Sequence, residues 1–267
     1  MKVFISADIE GVTGITDWCE ADLDSPTNVE FRERMTAEVV AACEGALRAG
    51  ANELVVKDAH WTGRNLFAER LPREARLHRG WSGHPYSMVQ GLDATFAAAV
   101  FIGWHSAGGR GGNPLAHTLS SQRLIGVRVN GVWASEFLLH AYAAALEGVP
   151  VVFVSGDEAL CGDVAELDPA IETVAVTRGL GAATLALHPS DARERIREGV
   201  ARACTQPLRA TPARLPERFS VEVVRKDPRE AYRLAFYPGA RLVDAHTVGF
   251  EATAWFEVLR MLRFVTA

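Results

Sequence analysis

The chain begins with a short apolar segment that ends in two acidic residues. Residues 3–7 read Val-Phe-Ile-Ser-Ala, and Asp8 and Glu10 follow before Gly11. A short run rich in branched and aromatic residues is typical of a buried strand. On an extended strand, the i and i+2 spacing directs both carboxylates to the same face. Buried carboxylates side by side repel each other, so the pair needs either a divalent cation or contact with water at the strand end.

Two further apolar segments end in side chains that can coordinate metal. The segment 53–58 leads to His60, and the segment 98–104 leads directly to His105. The carboxyl ends of parallel strands lie side by side, and ligands bind at that edge of an open sheet. Carboxylate and imidazole together suit zinc and related transition metals. One histidine at a strand end is usually structural, but three strand ends carrying coordinating groups favour a metal site.

The pattern between and after these strands predicts an α/β fold. Apolar residues recur every three to four positions from Phe31 to Leu47, which predicts a helix, and Gly50 ends it. Thr27 and Glu30 have the spacing of a capping box at its start. Further strands are predicted near residues 150–155 and 172–177. We therefore expect a mostly parallel sheet with helices on both faces, plus a small C-terminal α/β appendage.

A change in composition suggests where the appendage begins. The segment from Thr205 to Pro216 contains three prolines. We predict a metal-binding catalytic domain at residues 1–205 and a smaller α/β region at 206–267 packed on it. We expect this region to be an appendage of the main domain and not an independent one.

Charge and cysteine content exclude several functional classes. The 267 residues carry a net charge of −5 with both signs well mixed, so no basic patch predicts binding to nucleic acid or to a membrane surface. The glycine-rich segment 106–114 fits neither common nucleotide-binding fingerprint, which disfavours a nucleotide-binding module. The four cysteines are widely spaced and predict neither disulfides nor a structural zinc site. With a strand at the start of the chain and no signal-peptide pattern, we expect a cytoplasmic setting.

A hairpin and a helix start precede a third acidic residue of interest. Asn130-Gly131 predicts a tight turn between two strands, and Ser135 is a plausible N-cap. Glu136 then falls in the first turn of the helix. An acidic residue there is explained by the helix dipole alone.

Several motifs together resemble one enzyme family. They are Asp8-Ile9-Glu10-Gly11, Arg34-Met35-Thr36-x-Glu38, Asp58-Ala59-His60, Phe101-Ile102-Gly103-Trp104-His105, His117-Thr118-Leu119-Ser120-Ser121 and Gly156-Asp157. In order and spacing they are similar to the zinc-dependent D-aminopeptidase family, over essentially the whole chain. The resemblance implies a site for two zinc ions per chain, in which His117 acts in the chemical step. The ligands that match are Asp8, Glu10, His60, His105 and Glu136. It also implies a ring-shaped homo-oligomer, a decamer, whose sites face an internal channel.

The chain departs from the family pattern at three positions. Asparagine is common in the family at the position of Lys57, tyrosine at Trp104 and asparagine at Val40. None of these positions is a ligand, but Lys57 and Trp104 flank the site, so substrate preference is open. Asp8 is the candidate bridge between two ions, because the two oxygens of a carboxylate can each face one metal.

The function that we expect is a metallo-aminopeptidase acting on the N-terminal residue of short peptides or amides that contain D-amino acids. The alternatives are a metal-dependent amidase acting on another small amide, and a non-catalytic metal-binding protein that would not need His117. His117 could donate a proton to the leaving amine or attack directly, or be an ordinary loop histidine. Asp58 is read as either orienting a ligand histidine or making plain hydrogen bonds. The remaining histidines are read as structural or surface residues: His78, His84, His140, His188 and His246.

Overall fold

A computed structural model of the chain describes residues 1–205 and 213–266, which form two sheets and the helices that pack on them. The strands are β1 (Lys2–Ala7), β2 (Glu53–Asp58), β3 (Ala75–His78), β4 (Ala98–Trp104), β5 (Leu124–Val129), β6 (Val132–Trp133), β7 (Val151–Asp157), β8 (Glu172–Leu180), β9 (Ala183–Ala186), β10 (Phe219–Arg225), β11 (Ala240–Leu242) and β12 (Thr247–Ala252). The α-helices are α1 (Trp18–Ala21), α2 (Asn28–Arg48), α3 (Glu136–Leu146), α4 (Glu158–Leu167), α5 (Pro189–Thr205), α6 (Pro228–Leu234) and α7 (Trp255–Val265).

The larger sheet has seven strands in the order β3-β2-β1-β4-β7-β8-β9. Every neighbouring pair is parallel except β8 and β9, which are antiparallel at one edge. β1 therefore lies between β2 and β4, and the carboxyl ends of these three strands are adjacent. The predicted α/β class with a mostly parallel sheet is confirmed.

Both faces of this sheet are covered by apolar cores. On one face, Ile5 and Val56 of the sheet pack with Val39 of α2 and Ile196 of α5. On the other, Phe101 packs in a cluster that continues through α3 into the second sheet and α7. The alternate residues of one strand thus serve opposite cores, which explains why β1 and β4 are apolar along nearly their whole length.

The smaller sheet is antiparallel and has the order β11-β12-β10-β5-β6. Its β5–β6 hairpin turns at Asn130 and Gly131, both with positive φ, as predicted for this turn. The hairpin comes from the middle of the chain and pairs with β10 through Val127 and Val223. The division into regions 1–205 and 206–267 stays a prediction, and residues 206–212 of its boundary segment lie outside the described residues.

The helix starts match the predictions in one place and differ in another. Ser135 caps α3 by accepting a hydrogen bond from the Leu138 amide, as expected. Thr27 makes no capping bond to α2; instead its hydroxyl donates to the carbonyl of Cys19. A capping box forms earlier, where Asp17 and Glu20 start α1. In the part of the chain that the structure describes, no helix has the length and apolarity needed to span a membrane.

Candidate metal centre

Four elements bring the predicted metal-binding residues together. Asp8 directly follows β1, His60 lies two residues after β2, and His105 directly follows β4. Glu136 is the first residue of α3 and comes from outside the parallel sheet. The convergence of strand ends follows from the parallel register, in which Ala7 pairs with both neighbouring strands.

Asp8 lies at the middle of this cluster, between two histidines. Its Oδ1 is 3.2 Å from Nδ1 of His60, and its Oδ2 is 3.5 Å from Nε2 of His105. Glu10 Oε2 lies 3.0 Å from the same nitrogen of His60, and Glu136 Oε2 lies 3.3 Å from Nε2 of His105. Two groups result that share Asp8, and the ligand atoms within each lie within 4.8 Å of one another.

His117 approaches the same cluster from the loop after β4. Its Nε2 is 3.7 Å from Glu136 Oε1 and 4.0 Å from Glu10 Oε1. Its ring stacks on that of His105 with a centroid distance of 4.4 Å. Glu10, His105 and His117 form a third group with metal-binding geometry. The structure therefore places His117 where it can act either as a ligand or as a catalytic side chain.

When neutral, each of His60, His105 and His117 directs its unprotonated ring nitrogen toward the carboxylates. In each ring, the other nitrogen lies 2.9–3.0 Å from a backbone carbonyl: Ala21 for His60, Ser106 for His105 and Leu115 for His117. A carbonyl only accepts, so that nitrogen carries the hydrogen. In a neutral ring the nitrogen facing the acids is then bare, and a lone pair facing a carboxylate is unfavourable unless a proton or a cation lies between them.

Burial makes this arrangement costly without a cation. The side chains of Asp8, Glu10, His60, His105 and Glu136 are all buried, and Glu10 Oε2 and His105 Nε2 have no hydrogen-bond partner. Burial and the charge of Glu10 raise the pKa of Asp8 to about 8. Although burial opposes it, Glu136 raises the pKa of His105 to about 10. A divalent cation bound to these atoms would satisfy the acids and the bare nitrogens together, so the donor set fits zinc.

Buried side chains behind the cluster hold its loops in place. Asp157 accepts hydrogen bonds from the Ser106 amide (2.7 Å) and from the Asn113 side chain (3.3 Å). The same Asn113 amide donates to the carbonyl of Glu10 at 2.9 Å. Sequence reasoning did not single out Asn113, because it lies in a glycine-rich loop without periodicity.

Asp58 fixes the backbone around His60 without touching its ring. Its oxygens accept from the backbone amides of Asn65 and Leu66 and from the Asn65 side chain. Asn65 also donates to the carbonyl of His60 at 2.8 Å. Of the two roles considered for Asp58, the structure shows the second: Asp58 makes plain hydrogen bonds to Asn65 and Leu66, in the loop after His60.

Helix α2 holds the segment that carries Glu10. The Thr13 amide donates to Glu38 Oε1 at 3.0 Å, and Arg34 Nη1 donates to the Thr13 carbonyl at 3.3 Å. On its other side the segment passes close to the end of β4 at Gly11, where a Cβ would lie 1.8 Å from the carbonyl oxygen of Trp104. This assigns a structural role to the Arg34-to-Glu38 motif, which carries no metal ligand.

A cleft of about 570 Å³ opens over the cluster. Its lining includes two residues that the sequence analysis read as structural or surface histidines, His84 and His140. His140 is buried one helical turn after Glu136 and its ring nitrogen bonds the Glu136 carbonyl at 2.7 Å. The lining also includes Trp18, Trp61, Trp81, Met88, Arg123 and Arg263.

Comparisons with known proteins agree with the motifs. Residues 1–264 match the model of the peptidase M55 family, described as D-aminopeptidase. The chain is 30% identical over 271 residues to a D-aminopeptidase of Bacillus subtilis (strain 168), covering 100% of this chain and 97% of that protein. It also superposes on the Zn-dependent D-aminopeptidase DppA from Bacillus subtilis, a self-compartmentalizing protease, with a TM-score of 0.92 and 29% identity. That match covers 100% of this chain and 97% of the other.

Proposed function

This chain belongs to the D-aminopeptidase family, peptidase M55, and from that premise we propose that it is a zinc-dependent aminopeptidase that removes the N-terminal residue of short peptides containing D-amino acids. The observation that carries the proposal is the sharing of Asp8 between two groups of metal-binding side chains. Such sharing supports two ions per chain rather than one.

We propose that the ligands form two metal positions. Asp8, Glu10 and His60 would hold one ion, and Asp8, His105 and Glu136 the other. When bound, the zinc ions supply Lewis acidity for the peptide carbonyl and lower the pKa of water. The second ring nitrogens of His60 and His105 lie against backbone carbonyls, and Glu136 Oε1 accepts from the Leu119 amide at 2.6 Å, so these three side chains are oriented before a metal arrives.

His117 is the group that we assign to proton transfer. It is the most exposed of the cluster histidines, with 14% of its side chain accessible, and it lines the cleft. Burial and the neighbouring His105 lower its pKa, so the ring can hold a bare Nε2 near neutral pH. From there it can take up a proton and pass it to the amine that leaves when the peptide bond breaks.

The charge of the cleft supports a peptide substrate over a simple amide. Away from the cluster, the charged side chains that line the cleft are Arg123 and Arg263, both cationic. Cations in a cleft suit the free carboxylate of a short peptide. A neutral amide offers no such charge, so this observation favours the aminopeptidase over the amidase reading.

Assembly and setting are proposals too. Large apolar side chains are well exposed near the C-terminal helices, including Tyr232 at 61%, Phe236 at 74% and Phe264 at 64%. Exposed apolar side chains of this size support contacts between copies of the chain. We propose a closed homo-oligomer, with the decamer as its expected form. The four cysteines are free thiols, which supports a reducing, cytoplasmic setting.

The test combines metal content with stereochemistry. Protein purified without chelators is analysed for zinc and assayed on D-Ala-D-Ala and L-Ala-L-Ala. We expect close to two zinc ions per chain and hydrolysis of the D-peptide alone, lost with a chelator and restored by zinc. Metal-loaded protein that hydrolyses neither peptide would contradict the proposal.

A further inference from the structure

Three indole side chains line the cleft beside the metal-binding residues. Trp18, Trp61 and Trp81 are 36%, 51% and 38% exposed, which is unusual for tryptophan. Trp18 packs edge-on against the ring of His117 at 5.4 Å between centroids. Trp61 directly follows His60, and their ring centroids are 6.4 Å apart. Two of the three cluster histidines therefore have an indole ring beside them.

Apolar side chains line part of the same cleft. Met88, Leu139 and Leu262 line it, and each is almost fully buried. Pockets that bind small molecules are typically lined by apolar and aromatic side chains, with few polar groups that set orientation. The cleft combines such apolar and aromatic side chains with polar groups at the metal centre and along residues 120–123.

The indole of Trp81 is tied to the backbone of Trp61 by a direct hydrogen bond. Trp81 Nε1–H donates to the carbonyl of Trp61 at 2.7 Å. Trp61 has a φ of +44°, in the left-handed region that a bulky residue rarely adopts. Such a conformation persists when its surroundings hold it there, and the bond from Trp81 is one such restraint.

A buried lysine lies beneath the ring of Trp81. Lys57 is fully buried, and its Nζ lies 4.1 Å from the centroid of the Trp81 ring. The ammonium donates to the carbonyls of Asp58 (2.9 Å) and Gly80 (2.7 Å). Within residues 1–205 and 213–266, no carboxylate lies within 4.0 Å of it. A buried ammonium is costly to desolvate, and its compensation here includes a cation–π contact that fixes the indole.

We propose that Lys57, Trp81 and Trp61 form a braced aromatic wall that binds a large apolar side chain on the N-terminal residue of the substrate. An aminopeptidase cleaves at the carbonyl of that residue, so its side chain lies beside the metal centre, and Trp61 directly follows His60 in that centre. The substrate class is then short peptides that begin with an aromatic or large aliphatic residue, in preference to alanine. This inference rests on the proposed function.

The test compares two dipeptides with the same leaving group, D-Phe-Gly and D-Ala-Gly. For the wild type, we expect kcat/KM to be at least about 10-fold higher for D-Phe-Gly, since each apolar group held in a pocket contributes about that much discrimination. In Trp61→Ala and Trp81→Ala, the ratio should fall toward unity, mainly through a higher KM for D-Phe-Gly. Lys57→Met should lower the ratio in the same way with unchanged zinc content, because the lysine acts through Trp81.

A matched control exists elsewhere in the fold. Arg128 lies over the ring of Trp133 at 4.2 Å, a cation–π pair outside the cleft. Trp133→Ala should leave the ratio between the two dipeptides as in the wild type. A wild-type preference for D-Ala-Gly, or an unchanged ratio in Trp61→Ala, would overturn the proposal that the aromatic wall binds the N-terminal side chain.

A binding measurement separates this inference from the proposed activity. Tryptophan fluorescence is titrated with D-phenylalanine and with D-alanine in wild type and in Trp61→Ala. Tighter binding of D-phenylalanine, lost in the variant, supports the wall even if neither dipeptide is hydrolysed, in which case the proposed function fails alone. Equal affinities for both amino acids would overturn the wall even where both dipeptides are cleaved.

Discussion

The carboxylate of Glu38 accepts a hydrogen bond from the backbone amide of Thr13 at 3.0 Å. Glu38 is buried in α2, and its second oxygen has no hydrogen-bond partner. Burial raises the pKa of Glu38 to about 7, although the Thr13 bond and nearby arginines oppose the rise. Thr13 belongs to the segment that carries Glu10, so Glu38 supports the backbone near a proposed metal ligand.

The raised pKa of Glu38 predicts that the free energy of unfolding depends on pH. Below pH 4.5 Glu38 is protonated in both the folded and the unfolded chain. As the pH rises from 4.5 to about 7, the unfolded chain loses the proton first, so the free energy of unfolding falls and stays lower above that range. Glu38→Gln should remove this fall. Urea unfolding at several pH values measures it, with the exposed Glu33→Gln on the same helix as control. An identical pH slope in wild type and Glu38→Gln would contradict the prediction.

Asp8→Asn should lower metal content and activity together. The two oxygens of Asp8 face different histidines, and an amide nitrogen cannot replace the second oxygen as a ligand. We expect zinc to fall from close to two ions per chain to one or fewer, with loss of turnover. Elemental analysis and the D-Ala-D-Ala assay measure both. Asp191→Asn, an exposed acid at the start of α5, is the control, and full zinc content in Asp8→Asn would rule out the bridging role.

His117→Ala should keep its zinc and lose most of its turnover. Proton transfer by a positioned side chain typically contributes about 10²–10⁴-fold, so kcat should fall by about that factor. A larger fall would favour direct attack by the imidazole. His188→Gln, an exposed histidine outside the cleft, is the control. Loss of zinc together with activity would identify His117 as a ligand, which its distances to Glu10 and Glu136 allow.

Arg263→Gln should weaken the cleavage of peptides that have a free carboxylate. Hydrogen bonds to charged groups contribute about 1.5–3 kcal/mol, so kcat/KM for D-Ala-D-Ala should fall at least about 10-fold, while D-Ala-D-Ala amide is affected less. Arg260→Gln, on α7 but paired with Glu257 outside the cleft, is the control. Equal losses for peptide and amide would show that Arg263 does not recognise the carboxylate.

Some of the local structure was predictable because its signals are local. The strands before Asp8, His60 and His105 form where their apolar runs predict, and Asn130-Gly131 turns the hairpin. The spacing of Thr27 and Glu30 predicts a capping box at the start of α2, but the capping box forms at α1. The sequence alone does not separate the two, because Thr27 and Asp17 both begin plausible patterns. Only the packing of α1 decides that the Thr27 hydroxyl bonds Cys19.

The aromatic wall was not predictable in the same way. Trp61 and Trp81 are twenty positions apart in a stretch without periodicity, and the strand between them, β3, is a short edge strand. Their hydrogen bond depends on the loops at the ends of β2 and β3 meeting. No local pattern in the sequence indicates that meeting.

The sequence by itself determined that three strand ends with coordinating side chains would share one edge of a sheet, because βαβ connections keep parallel strands in a common direction. Strand periodicity does not predict Glu136, which entered the expected site only through the family resemblance. The tertiary structure decided which oxygen of Asp8 faces which histidine, and that Lys57 lies beneath an indole of the cleft. Those relations join residues that are distant in the chain. They depend on how loops and the second sheet pack, which periodicity and spacing do not encode.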